Sequence, residues 1–217
     1  MPSVLRRWVA REGHAAALRQ ALMRVHETDI SKNPHMMEWM VYRERFLGAE
    51  FIGLAVYDDE AALVTEARQR TVATLDAIST AHATFSTPSL RCDVISEFLA
   101  VPHTGVYGIA GLFTGDRARA TEVSLRLKEL AAELVDRFHP TRMLVVQIRD
   151  TPETFFVLGD ANDRIDVDRY LQSSLYAHHR ARLAPLVAAP TRWFAIDPVW
   201  RFFRRLAAAP IDRAEGR

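Results

Sequence analysis

Hydrophobic positions along the chain change their period several times, and the changes come in the same order twice. Ser3 to Ala10 is a short apolar run with Val4, Trp8 and Val9, closed by Gly13. Ala15, Leu18, Leu22 and Val25 then recur at spacings of three and four, which predicts a helix with one buried stripe. Met36 to Arg45 and Phe51 to Tyr57 are apolar runs on either side of Gly48-Ala49 and predict two strands. Asp58-Asp59-Glu60 opens a second helix, because carboxylates are favoured at the positive end of the helix dipole. Its stripe is Leu63, Ala67, Thr71, Thr74 and Ile78, and Leu90 to Ala100 is the strand that follows. From Val106 the order begins again with a strand to Phe113. Val123, Leu127, Leu130, Leu134 and Phe138 give the cleanest amphipathic pattern in the chain. Thr141 to Arg149 and Thr154 to Asp160 predict a hairpin turning at Thr151-Pro152. A helix from Asp166 to about Leu186, broken near Pro185, and a strand from Thr191 to Asp197 complete the second series.

The strongest internal match sets Asn33 to Arg43 against Phe138 to Arg149, each a strand introduced by proline and ended by arginine. The prediction is therefore an α+β protein made of two ferredoxin-like βαββαβ repeats. The first, residues 1–101, reads as mainly structural, and the second, 106–197, as the half with the candidate pocket. Pro102 to Gly105 links them. One such unit carries helices on only one face of its sheet, so its other face must be covered. Both sets of strands read as apolar on more than one face. The two sheets are thus expected to pack together as a single-chain pseudo-dimeric α+β barrel rather than stand side by side. Residues 198–217 read as an amphipathic tail, with Val199, Phe202, Phe203 and Leu206 among Arg201, Arg204 and Arg205. A helix docked on the barrel is the expectation, and a membrane-surface or partner helix the other reading.

Composition narrows the class without naming an activity. The 217 residues are 49% hydrophobic and 25% charged, the profile of a soluble protein with a substantial core. A net charge of +1 supplies no general field for nucleic acid or anionic lipid. No apolar run reaches the length of a membrane span. Arg6 and Arg7 are not followed by the apolar segment of a secretory signal, and Cys92, the single cysteine, suits a reducing compartment. A cytoplasmic location is the expectation.

Glu50 to Ala62, an apolar strand ending on Tyr57 and followed by acidic residues and an alanine-led helix, resembles the antibiotic-biosynthesis monooxygenase-like group of dimeric α+β barrels. Tyr170 to Arg180 resembles the second helix of that group, which often carries histidine near its end. The resemblance implies a range of activities: cofactor-free oxygenases or cyclases on aromatic, polyketide-like molecules, relatives that bind or degrade heme through a helix histidine, and proteins without known chemistry. Where the group usually has tryptophan, the first repeat has Tyr57 and the second Ala161, and the first repeat has no histidine on its second helix. Two equivalent pockets are therefore not expected.

His178 and His179 are the leading candidates for chemistry. A neutral imidazole serves as a heme or metal ligand, or as a general base. Three readings stay open: a buried histidine beside a solvated one, an axial ligand, and acid–base work. Counting the helix from Val167 puts His178 inward, whereas the resemblance favours His179. No second histidine stands three or four residues away, so a multi-histidine metal site is not indicated. Heme, with four donors of its own, needs only one. On that reading Arg149 meets a propionate, Leu171 and Leu175 meet the porphyrin face, and Asn162 is a polar contact or else an ordinary turn residue. Arg43 is placed as the counterpart of Arg149, with local ion pairs as the other reading. Trp8, Trp39, Tyr42 and Tyr57 are either core or the lining of a flat aromatic pocket. The expected partners are a small apolar or aromatic ligand and, as one possibility, a second copy of the chain. The other class of function is a non-catalytic ligand-binding or interaction module.

Overall fold

In the computed structural model, residues 1–100, 105–188 and 192–204 are described, with the backbone alone for 66–68, 165–167 and Arg192. The first repeat contains β1 (Pro2–Ala10), α1 (Ala15–Val25), β2 (Met36–Glu44), β3 (Glu50–Tyr57), α2 (Glu66–His82), β4 (Ala83–Ser86) and β5 (Leu90–Leu99). The second contains β6 (Tyr107–Thr114), α3 (Ala120–Phe138), β7 (Arg142–Ile148), β8 (Thr154–Ala161), α4 (Arg164–Gln172), α5 (Ser174–Leu183) and β9 (Arg192–Phe203). The strands run in the order β3-β2-β9-β6-β8-β7-β5-β1, and β1 pairs again with β3. Eight antiparallel strands thus close a barrel, with β4 an addition to β1. Each repeat contributes four barrel strands, and the seams between repeats are β2–β9 and β5–β7.

The alternation of side chains sorts the strand residues into two environments. Leu5, Met40, Tyr42, Ile52, Leu54, Leu144, Val146, Phe156, Leu158 and Ile196 pack inside the barrel. The opposite face of the first repeat packs under α1 and α2, through residues such as Trp8, Trp39, Phe51, Leu18 and Leu22. That of the second packs under α3, α4 and α5, through Phe113, Val145, Phe155, Leu127 and Leu130. Both faces of every barrel strand are covered, so the expected apolar runs are accounted for.

The two repeats superimpose in register. Met40 faces Leu54 as Leu144 faces Leu158, and Arg201 faces Met40 as Glu97 faces Leu144. Equivalent positions lie 104 residues apart, the separation of Glu38 and Arg142. Those two residues form a fully buried ion pair across the barrel interior. Glu97 reaches Arg142 at 3.4 Å, and Arg201 lies 3.7 Å from Asp160. Tyr42 donates to Asp160 over 2.8 Å. Acids of the first repeat therefore stand where the second has arginines. Burial raises the Tyr42 hydroxyl pKa, with the Asp160 charge reinforcing it. The same register makes Arg45, not Arg43, the counterpart of Arg149. Arg45 pairs with Asp197 at 2.8 Å and Arg149 with Asp93 at 2.6 Å, one ion pair on each seam. Arg43 instead donates to the Gly48 carbonyl at 2.6 Å, in a turn where Gly48 has a φ of 64°.

Two boundaries and one helix stripe differ from the sequence expectation. The last helix breaks at Ser173, not Pro185. The Ser173 hydroxyl accepts from the Tyr176 amide at 3.1 Å and donates to the Tyr170 carbonyl at 2.7 Å, stopping α4 and capping α5. The stretch from Pro198 does not begin a helix: β9 continues through it to Phe203, paired with β2. A register shift between Val41 and Tyr42 accommodates the proline, which cannot donate to the ladder. Leu206 and the rest of the proposed tail, like most of the Pro102–Gly105 linker, lie outside the described residues. Among the described side chains of α2 the buried positions are Thr71, Leu75 and Ser79, so the stripe there passes through Leu75 and not Thr74, and Ala67 lies outside the described side chains.

Candidate functional site

A cavity lies in the second repeat, between α5 and the outer face of the sheet. It has a volume of about 340 Å³ and is lined by Phe113, Tyr170, Tyr176, His179, Leu183 and Trp193, together with Arg180, Ala184, Val187 and Ala188. Four aromatic rings form its walls. Trp193 meets Phe113 edge-on at 5.3 Å, Tyr170 at 6.2 Å and Tyr176 at 6.2 Å. Gly111 faces Trp193 across the β6–β9 ladder. A Cβ on Gly111 would come within 2.9 Å of the Trp193 ring and 2.8 Å of Phe113, so glycine there lets the indole lie against the strand. A second, smaller crevice of about 40 Å³ runs under α3, with Ala161 and Tyr170 in its wall.

The first repeat fills the corresponding space. Trp8 occupies the place of Phe113, since Trp8 faces Phe51 as Phe113 faces Phe155. Its indole is fully buried and lies over Gly53, where a Cβ would approach it to 2.8 Å. The Trp8 indole N–H donates to Ser79 Oγ at 3.0 Å, and Arg6 donates to the same hydroxyl at 2.9 Å. Trp8, Trp39 and Tyr57 are core residues, and Tyr42 points the other way, into the barrel.

The restart of the helix at Ser173 decides which histidine faces inward. Counted along α5, Leu175, His179 and Leu183 fall on one face and are buried, whereas His178 is exposed. His179 Nε2 lies 3.0 Å from Glu133 Oε2 on α3. Desolvation lowers the pKa of His179, and the hydrogen bond to His179 lowers that of Glu133. A neutral imidazole donating through Nε2–H to a carboxylate is the arrangement consistent with both shifts. Nδ1 is then an acceptor, and it is buried without a hydrogen-bond partner. The Tyr170 hydroxyl is likewise buried and unpartnered, and burial raises its pKa, so it stays a donor. An unsatisfied buried polar atom costs about 1–3 kcal/mol, so each is a place that a ligand or water would complete.

The other candidates are dispersed. Arg149 is remote from the cavity, held by Glu60 at 2.6 and 2.7 Å and by Asp93 at 2.6 and 2.9 Å. These partners raise its pKa, and they occupy the donors that an acidic ligand would need. Leu171 and Leu175 pack in the second-repeat core but do not line the cavity. Asn162 is exposed just after β8. The side chains expected around a heme are thus not brought together at this cavity: His179 lines it, Arg149, Asn162, Leu171 and Leu175 do not, and His178 faces solvent. Among the described residues, no group of three or more His, Cys, Asp or Glu side chains has the geometry of a metal site. Cys92 is fully buried, its pKa pushed up to about 12 by desolvation.

No family model matches the sequence, and no curated protein matches it. Solved structures match its fold over nearly the whole chain. A candidate monooxygenase from Fusobacterium nucleatum subsp. nucleatum has 7% identity and a TM-score of 0.76, with 94% of each chain covered. An anthrone oxidase-like protein has 12% identity and a TM-score of 0.67, with 96% of each chain covered. A major regulator of staphylococcal pathogenesis has 9% identity and a TM-score of 0.59, covering 91% of this chain and 99% of its own. These likenesses are of fold: an α+β barrel with both βαββαβ units on one chain.

Proposed function

We propose that this chain is a cofactor-independent oxygenase that binds a small planar aromatic molecule in the second-repeat cavity. The observation that carries the reading is an aromatic-walled cavity lined by His179 and Tyr170, each of which carries a buried polar atom, Nδ1 and Oη, without a hydrogen-bond partner. His179 is the base: neutral, with its other nitrogen tied to Glu133, it takes a proton from a weakly acidic ring carbon or hydroxyl. Tyr170 donates to the oxygen on which the resulting charge settles. The electron-rich anion then reacts with dioxygen: one oxygen atom bonds to the deprotonated carbon and becomes a carbonyl oxygen as that carbon loses its second hydrogen, and the other oxygen leaves with the two hydrogens as water. The full-length fold match to a candidate monooxygenase and to an anthrone oxidase-like protein supports the oxygenase class. The reading sets the first repeat as structural support and suits a cytoplasmic setting.

Oxygen uptake with anthrone as the probe tests the proposal. A positioned base contributes about a hundredfold or more, so His179→Gln should lower uptake at least that far. Tyr170→Phe should lower it by about tenfold, the loss of one hydrogen bond to a charged oxygen. Binding of anthrone without uptake would overturn the oxygenase reading in favour of a ligand-binding module.

A further inference from the structure

We infer that Arg180 reads a carboxylate on the aromatic ligand, so that the cavity takes aromatic acids; the inference rests on the cavity being the ligand site proposed above. Among the described residues the lining contains no aspartate or glutamate, and Arg180 is its one arginine. The arginines around it are already engaged. Arg119 pairs with Glu122 at 2.9 Å, Arg126 with Glu129 at 2.8 Å and Arg182 with Glu129 at 2.7 Å. Arg180 has no carboxylate partner among the described residues. Its guanidinium lies 5.8 Å from the centroid of the Tyr176 ring, itself a cavity wall. A guanidinium over an aromatic face is held near the ring while its N–H donors stay free for a carboxylate. Glu133, the carboxylate beside His179, is turned to His179 on one oxygen and lies 3.6 Å from Arg182 on the other. A ring packed in the cavity against the Trp193 and Tyr176 walls would set a carboxylate on its rim toward Arg180.

A matched pair of probes separates this from binding in general. 2-Naphthoate and 2-naphthamide share size and shape and differ in charge. Both are titrated into the full chain, with quenching of Trp193 fluorescence as the readout and Trp193→Phe as the control. Because Arg180 is exposed, the expected preference is at the lower end for a charge-assisted contact, roughly tenfold for the naphthoate. Arg180→Gln should abolish the preference by weakening naphthoate alone, Arg180→Lys should restore part of it, and added salt should erode it. Equal affinity for the two probes, or a preference that survives in Arg180→Gln, overturns the assignment of Arg180. Absence of quenching by either probe overturns the cavity reading itself.

Discussion

Replacing Arg142 by methionine removes one side of a fully buried ion pair and leaves Glu38 charged inside the barrel. Removing one partner of such a pair costs about 3–5 kcal/mol, because the remaining charge keeps its desolvation penalty and loses its compensation. The environment of Arg142 supports the upper part of that range. Its guanidinium lies 5.0 Å from the centre of the Phe203 ring, and its pKa is raised by the Glu38 charge against an opposing desolvation. Glu97, 17% exposed, would also lose its contact. A chain of this length loses about 2–4 °C of melting temperature per kcal/mol, so the single variant should melt roughly 6 to 20 °C lower. The double variant Glu38→Met/Arg142→Met removes both charges and should recover most of the loss, since apolar pairs of similar volume often match buried ion pairs. Urea titrations at constant m measure both. If Arg142→Met costs under about 1 kcal/mol, or the double variant is as unstable as the two singles added together, the pair does not govern barrel stability as argued here.

Three further outcomes follow from the same structure. Hemin titrated into the protein should give no Soret shift that depends on His178 or His179; a shift lost in His179→Ala alone would show that the Glu133 contact opens. Since burial depresses the His179 pKa below 6.5, the unfolded chain binds the proton more readily, so this residue favours folding above that pH. Its contribution falls away as pH drops through the lowered value, and ligand affinity should decline there in the wild type but not in His179→Gln. Gly53→Ala forces a Cβ to within 2.8 Å of the Trp8 ring and should destabilise by about 1–3 kcal/mol in thermal melts, with the second-repeat cavity unaffected.

Much of the fold was legible because the period of the apolar positions switches cleanly between strand and helix, and because the whole series recurs. Legibility failed where a local hydrogen bond or a distant strand decided the outcome. Ser173 ends α4 through a hydroxyl bonded on both sides, a signal weaker on paper than Pro185. The run from Val199 to Phe203 alternates arginine with aromatics, and it is a strand because β2 lies beside it. At the site, the histidine pair was visible but its inward member was not, since the helix phase restarts at Ser173. The aromatic wall joins Phe113, Tyr170, Tyr176 and Trp193 from β6, α4, α5 and β9, and no local pattern connects them. Gly111 in the middle of β6 was the one available hint, because a strand glycine marks a close approach. Glu38 and Arg142 sat unread in runs taken as apolar, although a charge at an inward position of a strand covered on both faces calls for a partner.

The equivalence of Glu38 and Arg142 carries a consequence for ancestry. In a symmetric dimer each residue near the two-fold axis faces its own copy, so position 38 would set glutamate against glutamate and position 142 arginine against arginine. Opposite charges at one equivalent position require two sequences free to diverge. The pair is therefore younger than the duplication that made the repeat, and it works against a return to separate halves. Either unit alone, pairing with itself, would bury like charges where this chain buries a salt bridge.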